Sequence, residues 1–94
     1  MYFVVLSKLT DKGAETILER PERIKEVNAE LEQVGARVLH QFVLFGDYDF
    51  VNVLEVKDID KFFKKLVELN RRGTIHTTTY LAIPVDEAID ILKK

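Results

Sequence analysis

His40, His76, Tyr48, Tyr80, Asn52 and a run of threonines are the side chains from which this sequence could build chemistry. The two histidines could act as acid or base. They carry no His-x-His or Glu-x-x-His spacing that would present paired ligands to a metal. The chain has no cysteine, so thiolate metal sites, iron–sulfur clusters, disulfides and a thiol nucleophile are excluded. Ser7 is the only serine and has no identifiable base beside it. A glycine-rich phosphate loop, a nucleophile elbow and a paired-carboxylate pattern are also missing. These residue types therefore point first to binding. The expected ligand-contacting set is His40, Tyr48, Asp49, Asn52, His76, Thr77 and Thr79, with no metal and no cofactor. Thr77 and Thr79 share a strand face and could line a pocket between sheet and helices. Ordinary β-propensity explains them equally well. The alternative is a cofactor-free monooxygenase or isomerase in which His40, His76 or Tyr80 works beside an apolar pocket, with Asn52 as polar anchor. Glu55 could orient His76 or Arg37.

These side chains depend on a tight turn and on strands that can be read from the pattern. Gly46-Asp47-Tyr48-Asp49 separates two apolar runs and reads as a hairpin. Gly46 could supply a positive φ, and Asp47 and Asp49 could accept from local backbone N–H groups. Tyr48, an apolar ring with a polar tip, suits an interface. On this reading the turn sets register more than it performs catalysis.

The spacing predicts a first strand over Tyr2–Leu9 and a short helical turn from Gly13 to Leu18, capped by Thr10 or Asp11. A long helix follows, with Pro21 in its first turn, an apolar face of Ile24, Val27, Leu31 and Val34, and Gly35 as its left-handed end. Ala36 to Phe45 and Phe50 to Val56 are the two strands of the hairpin. Asp58 caps a second long helix through Ile59, Phe62, Phe63, Leu66 and Val67, which ends at Asn70 to Gly73. Thr74 to Ile83 is a fourth strand, and Pro84 opens a short C-terminal helix. The order is β-α-β-β-α-β plus one helix. It is an α+β, ferredoxin-like fold with helices on one face of a four-stranded antiparallel sheet.

Both faces of the first three strands are mostly apolar. Helices can cover only one, and a wetted face would alternate to polar residues. A homodimer with sheets face to face, a dimeric α+β barrel, is the expected solution. The C-terminal helix folding back over the sheet is the competing one.

Ninety-four residues limit the chain to one domain, 1–94, able to bury roughly 60–65% of its unfolded surface. Fourteen basic and sixteen acidic residues give a net charge of −2. With its basic pairs Lys64-Lys65, Arg71-Arg72 and Lys93-Lys94 short and scattered, no nucleic-acid partner is expected. No apolar run nears the roughly 20 residues of a membrane span, and no leader pattern is visible, so a cytoplasmic protein with no membrane partner is expected. Abundant Glu and Lys with few Gln suggest a thermophile.

The stretch Phe45-Gly46-Asp47-Tyr48-Asp49-Phe50-Val51, followed by Glu55, resembles the GYD-domain family, which is named for a Gly-x-Tyr-Asp hairpin. Leu9-Thr10-Asp11-Lys12-Gly13, the segment from Ile17 through Pro21-Glu22-Arg23, and Gly73-Thr74-Ile75-His76-Thr77-Thr78-Thr79 are similar as well. The resemblance implies a small ferredoxin-like protein of bacteria or archaea that forms a dimeric α+β barrel, with no established activity. The hairpin is also similar to that of effector-binding domains of leucine-responsive regulators, which implies oligomerisation and a small organic ligand such as an amino acid. This chain lacks the helix-turn-helix segment of those regulators.

Overall fold

The computed structural model describes all residues, 1–94. Its elements are β1 (Tyr2–Leu9), α1 (Asp11–Glu19), α2 (Arg23–Gln33), β2 (Ala36–Val43), β3 (Phe50–Val56), α3 (Ile59–Arg71), β4 (Ile75–Ala82) and α4 (Val85–Leu92). The strands form one sheet in the order β2-β3-β1-β4, every pair antiparallel. This is the ferredoxin-like α+β arrangement, with β2 and β4 at the edges.

Local chemistry explains the boundaries. The Thr10 hydroxyl accepts from the Gly13 N–H at 3.1 Å and donates to the Gly73 carbonyl at 2.6 Å, so it caps α1 and ties it to the start of β4. Asp58 Oδ1 accepts from the N–H groups of Asp60 and Lys61, closing the front of α3. Gly35 and Gly73 leave α2 and α3 at φ 79° and 77°, the left-handed region that glycine enters without penalty.

Three local expectations are corrected. The first helix is longer than the expected turn, running from Asp11 to Glu19. Pro21 lies before α2, in a turn whose carbonyl accepts from Ile24, and α2 begins at Arg23. Gly46 does not adopt a positive φ, so the hairpin reverses without a left-handed residue.

The core is the sandwich between one sheet face and the helices. Phe3, Val5, Ala36, Leu54 and Val56 meet Leu31 of α2 and Phe62 and Leu69 of α3. The Phe3 and Phe62 rings lie 5.2 Å apart, tilted by 41°. Register assigns the faces, because paired residues project to the same side. Phe50, Asn52, Leu54 and Val56 face the helices together with Phe3, Val5 and Ser7. On β2 the pairing slips between Val38↔Leu54 and His40↔Val53, a bulge at Leu39. Ala36 and Val38 therefore face the helices, and beyond the bulge Gln41 and Val43 do so. The simple alternation expected along this strand is broken there, and His40 and Phe42 turn to the uncovered face.

Helix α4 does not cover that face. It has no buried residue and packs closely on no strand, and Val85, Ile89 and Leu92 stay exposed. The long axis of the molecule accordingly reaches 51 Å against 28 and 19 Å for the others.

Candidate functional site

Two surfaces carry the candidate residues, one on each side of the sheet. The uncovered face is ordered in rows that run across the strands. Arg37, Glu55, Tyr2 and Ala82 form the first row; His40, Val53, Val4 and Tyr80 the second; Phe42, Val51, Leu6 and Thr78 the third. Lys8 and His76 close the far end. Charged and polar rows thus frame an apolar centre, the anatomy of a protein interface with a polar rim. Phe42 and Tyr80 are 60% and 54% exposed, far more than core aromatics would be. Glu55 lies opposite Arg37 and Tyr2, with His76 at the other end of the face. Its carboxylate charge and hydrogen bond push the Tyr2 phenol above its ordinary range.

His40 and His76 sit on opposite edge strands, three strand spacings or about 14 Å apart across the sheet alone. No group of three or more His, Asp or Glu side chains gathers as metal ligands would. Asn52 faces the helices, whereas His40, His76 and Tyr80 face away from them. The four residues of the enzymatic reading are therefore not brought together.

The hairpin residues serve the sheet. Asp49 donates its N–H to the Ser7 carbonyl at 2.8 Å and its carbonyl accepts from Leu44 at 2.8 Å. Its carboxylate accepts from the Leu9 N–H at 2.7 Å. The aspartate thus stitches the hairpin to the end of β1, a strand 40 residues away, in place of the local turn bond expected from sequence. A carboxylate accepting a backbone N–H contributes about 1.5–3 kcal/mol. Asp49→Ala is expected to lower unfolding free energy by that amount in urea titration, and Asp49→Asn by less, because the amide oxygen still accepts.

Thr77 is likewise engaged. Its N–H donates to Asn70 Oδ1 at 3.0 Å, and its hydroxyl accepts from Asn70 Nδ2 at 2.9 Å. Asn70 so satisfies an edge-strand amide that would otherwise lack a partner. Thr79 is half-buried further along the same face, and Tyr48 is half-buried in the turn.

On the covered side a cavity of about 130 Å³ opens between the sheet and helices α1, α2 and α3. Of the residues singled out from sequence as ligand contacts, only Asn52 lines it. Its Oδ1 is sealed from solvent and has no donor. The adjacent Gln41 amide pairs with Asn28, at 2.8 and 3.1 Å. Arg23 and Arg72 also line the cavity. Arg72 holds Glu30 with both terminal nitrogens, at 2.9 and 2.5 Å. That bond, with the charges of Arg72, Lys65 and Arg23, holds the Glu30 carboxyl below its usual range, and the same bond raises Arg72. In the sequence Arg72 is only half of the short basic pair Arg71-Arg72. The spacing Arg23, Glu26, Glu30 on one side of α2 was the available sign of a charge cluster.

Comparison with known proteins places these features. The profile of the GYD domain matches residues 3–92. A curated protein of Thermus thermophilus, "Glutamine synthetase and cystathionine beta-lyase binding protein", is 51% identical over 92 residues, covering 97% of each chain. Among solved structures, MtbAldR superimposes with a TM-score of 0.62 at 17% identity over 88% of this chain, which spans about half (51%) of that protein. FFRP-DM1 superimposes with a TM-score of 0.60 at 19% identity, covering 87% of this chain and 97% of the other. At such identities the two structures speak for the fold alone. No helix of the chain is long and apolar enough to cross a membrane.

Proposed function

The chain belongs to the GYD-domain family, and from that premise we propose that it is a homodimeric binding module, one domain over residues 1–94, that engages metabolic enzymes. The observation that carries this reading is the 51% identity, over nearly the full length of both chains, to a protein named for binding glutamine synthetase and cystathionine β-lyase. With 10 of 94 residues buried, 51% identity over 92 residues includes exposed positions as well as core. A cytoplasmic location, beside such enzymes, is part of the proposal.

The uncovered sheet face supports the dimer. Four strands spaced about 4.8 Å apart, with same-face residues about 7 Å apart, give a projected area of roughly 500 Å² over four rows. A standard interface takes about 800 Å² from each partner. The remaining apolar surface available includes Phe45, Ile83 and one side of α4, all exposed. A small organic ligand in the cavity beneath the helices completes the proposal.

The test is direct. Calorimetric titration of the purified protein into glutamine synthetase, and separately into cystathionine β-lyase, of the same organism is expected to give saturable binding to at least one of them. No heat and no co-elution with either enzyme would overturn the enzyme-binding reading.

A further inference from the structure

We propose that α4 is an exchanged arm, which packs its apolar side into the groove that a second copy of the chain forms between α3 and the edge strand β4. This rests on the reading of the protein as a homodimer, and it names the element that locks the two subunits together.

The groove is present on a single subunit. Ile59, Phe63 and Val67 recur every four residues along α3 and are all exposed, Phe63 to 66%. Asn70 stands two turns beyond Phe63 on the same side of the helix, and it bonds Thr77 of β4. That side of α3 therefore looks onto the edge strand. Thr77 and Leu81 pair with Ser7 and Phe3, so both project to the face that carries the helices, yet Leu81 is 60% exposed. Apolar groups left wet along one line beside a strand mark a docking surface.

Helix α4 is the element without a place. Its 8 residues are too few for a helix that stands alone in water, where about 12–15 are still marginal. Pro84 at its front offers no side-chain cap, and none of its residues is buried. Val85, Ile89 and Leu92 share one side at helical spacing, and all three are exposed. The helix rises about 12 Å, and the stripe from Ile59 to Val67 is also about 12 Å long.

The subunit's own α4 is led away from its own groove. Pro84 is extended, at φ −55° and ψ 140°, and a residue before proline is held out of the helical region. The link Ile83-Pro84 thus carries the chain onward from β4 and not back along it. A second copy supplies the missing cover. With sheets face to face, a two-fold axis perpendicular to the strands stacks the two β4 edges antiparallel. Each α4 then leaves its strand beside the other copy's groove. The area agrees. The sheet face offers roughly 500 Å² of the about 800 Å² that a standard interface takes from each partner. One helix side and one groove, each about 12 Å by 10 Å, add roughly 240 Å² per subunit. Charge agrees as well. Lys64 and Arg71 flank the stripe, with Asp60 at its front, and Asp86 and Asp90 flank Ile89. None of these five side chains forms an ion pair within the subunit.

The chain has no cysteine, so introduced thiols report alone. Phe63→Cys and Ile89→Cys, made as separate full-length chains, are mixed, left to exchange subunits and treated with a short bismaleimide. A covalent dimer of the two different chains is expected on a denaturing gel, with mass spectrometry placing the link between positions 63 and 89. Linkage within one chain of the double variant, with none between the mixed chains, means that α4 folds back on its own subunit and overturns the exchange. Ile89→Asp is the second measurement. It should keep the circular dichroism of the wild type, because α4 buries nothing in its own subunit. It should raise the dimer Kd at least about 100-fold in sedimentation, because symmetry removes two buried isoleucines at once. An unchanged Kd overturns the arm and leaves the dimer standing. A wild type that sediments as a monomer overturns the dimer itself, and the arm with it.

Discussion

Val51→Lys is expected to split the proposed dimer and leave the subunit folded. Val51 lies in the third row of the uncovered face, between Phe42 and Leu6. A lysine there reaches solvent in the isolated subunit, so the fold keeps its core of Phe3, Leu54 and Phe62. In a two-fold dimer the same charge enters the apolar centre twice. Each buried, unpaired ammonium costs several kcal/mol, so the pair is worth at least about 5 kcal/mol, or more than a thousandfold in Kd. Light scattering after size exclusion should show a dimer for the wild type and a monomer for the variant, with matching circular dichroism. The neighbouring substitution Phe50→Lys is the contrast. Phe50 faces the helices and lines the cavity, so charge there should destabilise the subunit itself. A wild type that runs as a monomer at micromolar concentration would refute the dimer.

The contrast between Val51 and Phe50 shows where the sequence is legible. Alternation on β1 and β3 is regular, and the burial of Phe3, Val5 and Leu54 follows from it once one face is known to carry helices. Which parity that is could not be decided from residues that are apolar on both sides. Strand β2 defeated the pattern for a different reason. The bulge at Leu39 inserts one residue with no compositional sign, and every side chain beyond it changes face. His40 and Phe42 therefore belong to the uncovered face, although Ala36 and Val38, of the same parity, are on the covered one.

The candidate site was legible only in part, because its parts come together through long-range packing. Asn52 stood out as a polar residue on a central strand, and it lines the cavity. Asp49 was recognised as a turn aspartate, but its partner, Leu9, is supplied by topology. Arg72 and Glu30 are 42 residues apart, and nothing local pairs them. Their bidentate contact exists because α2 and α3 lie side by side on the sheet. Thr77 shows the reverse case. Its threonine-rich strand suggested a pocket lining, whereas Asn70 holds it as an edge-strand tether.

Gly13→Ala is expected to be among the most damaging single changes despite adding one methyl group. In an open helix, alanine in place of glycine gains about 0.5–1 kcal/mol. At Gly13 the new Cβ would stand 1.9 Å from the Thr74 carbonyl oxygen, 2.9 Å from its carbon and 3.1 Å from Leu9 Cδ2. The first two are backbone atoms, and the oxygen already accepts from the Thr10 N–H at 3.0 Å. Helix α1 cannot move off without breaking that bond and the Thr10 hydroxyl bridge between Gly13 and Gly73. Overpacking costs about 1–3 kcal/mol and loss of a helix cap about 0.5–2, so a net loss centred near about 2.5 kcal/mol is expected after the helix gain. For a domain of this size each kcal/mol lowers Tm by about 4–8 °C, which makes a drop of about 10–20 °C the expected reading in a thermal melt. Gly46→Ala is the matched control. A Cβ there meets nothing within 4 Å, its φ is not positive, and alanine should be neutral or stabilise by up to about 1 kcal/mol through the unfolded chain. Equal Tm values for the two variants would mean that α1 slides freely over the start of β4. The close approach at Thr74 would then not be what fixes the wall of the cavity that Gly13 and Thr16 supply.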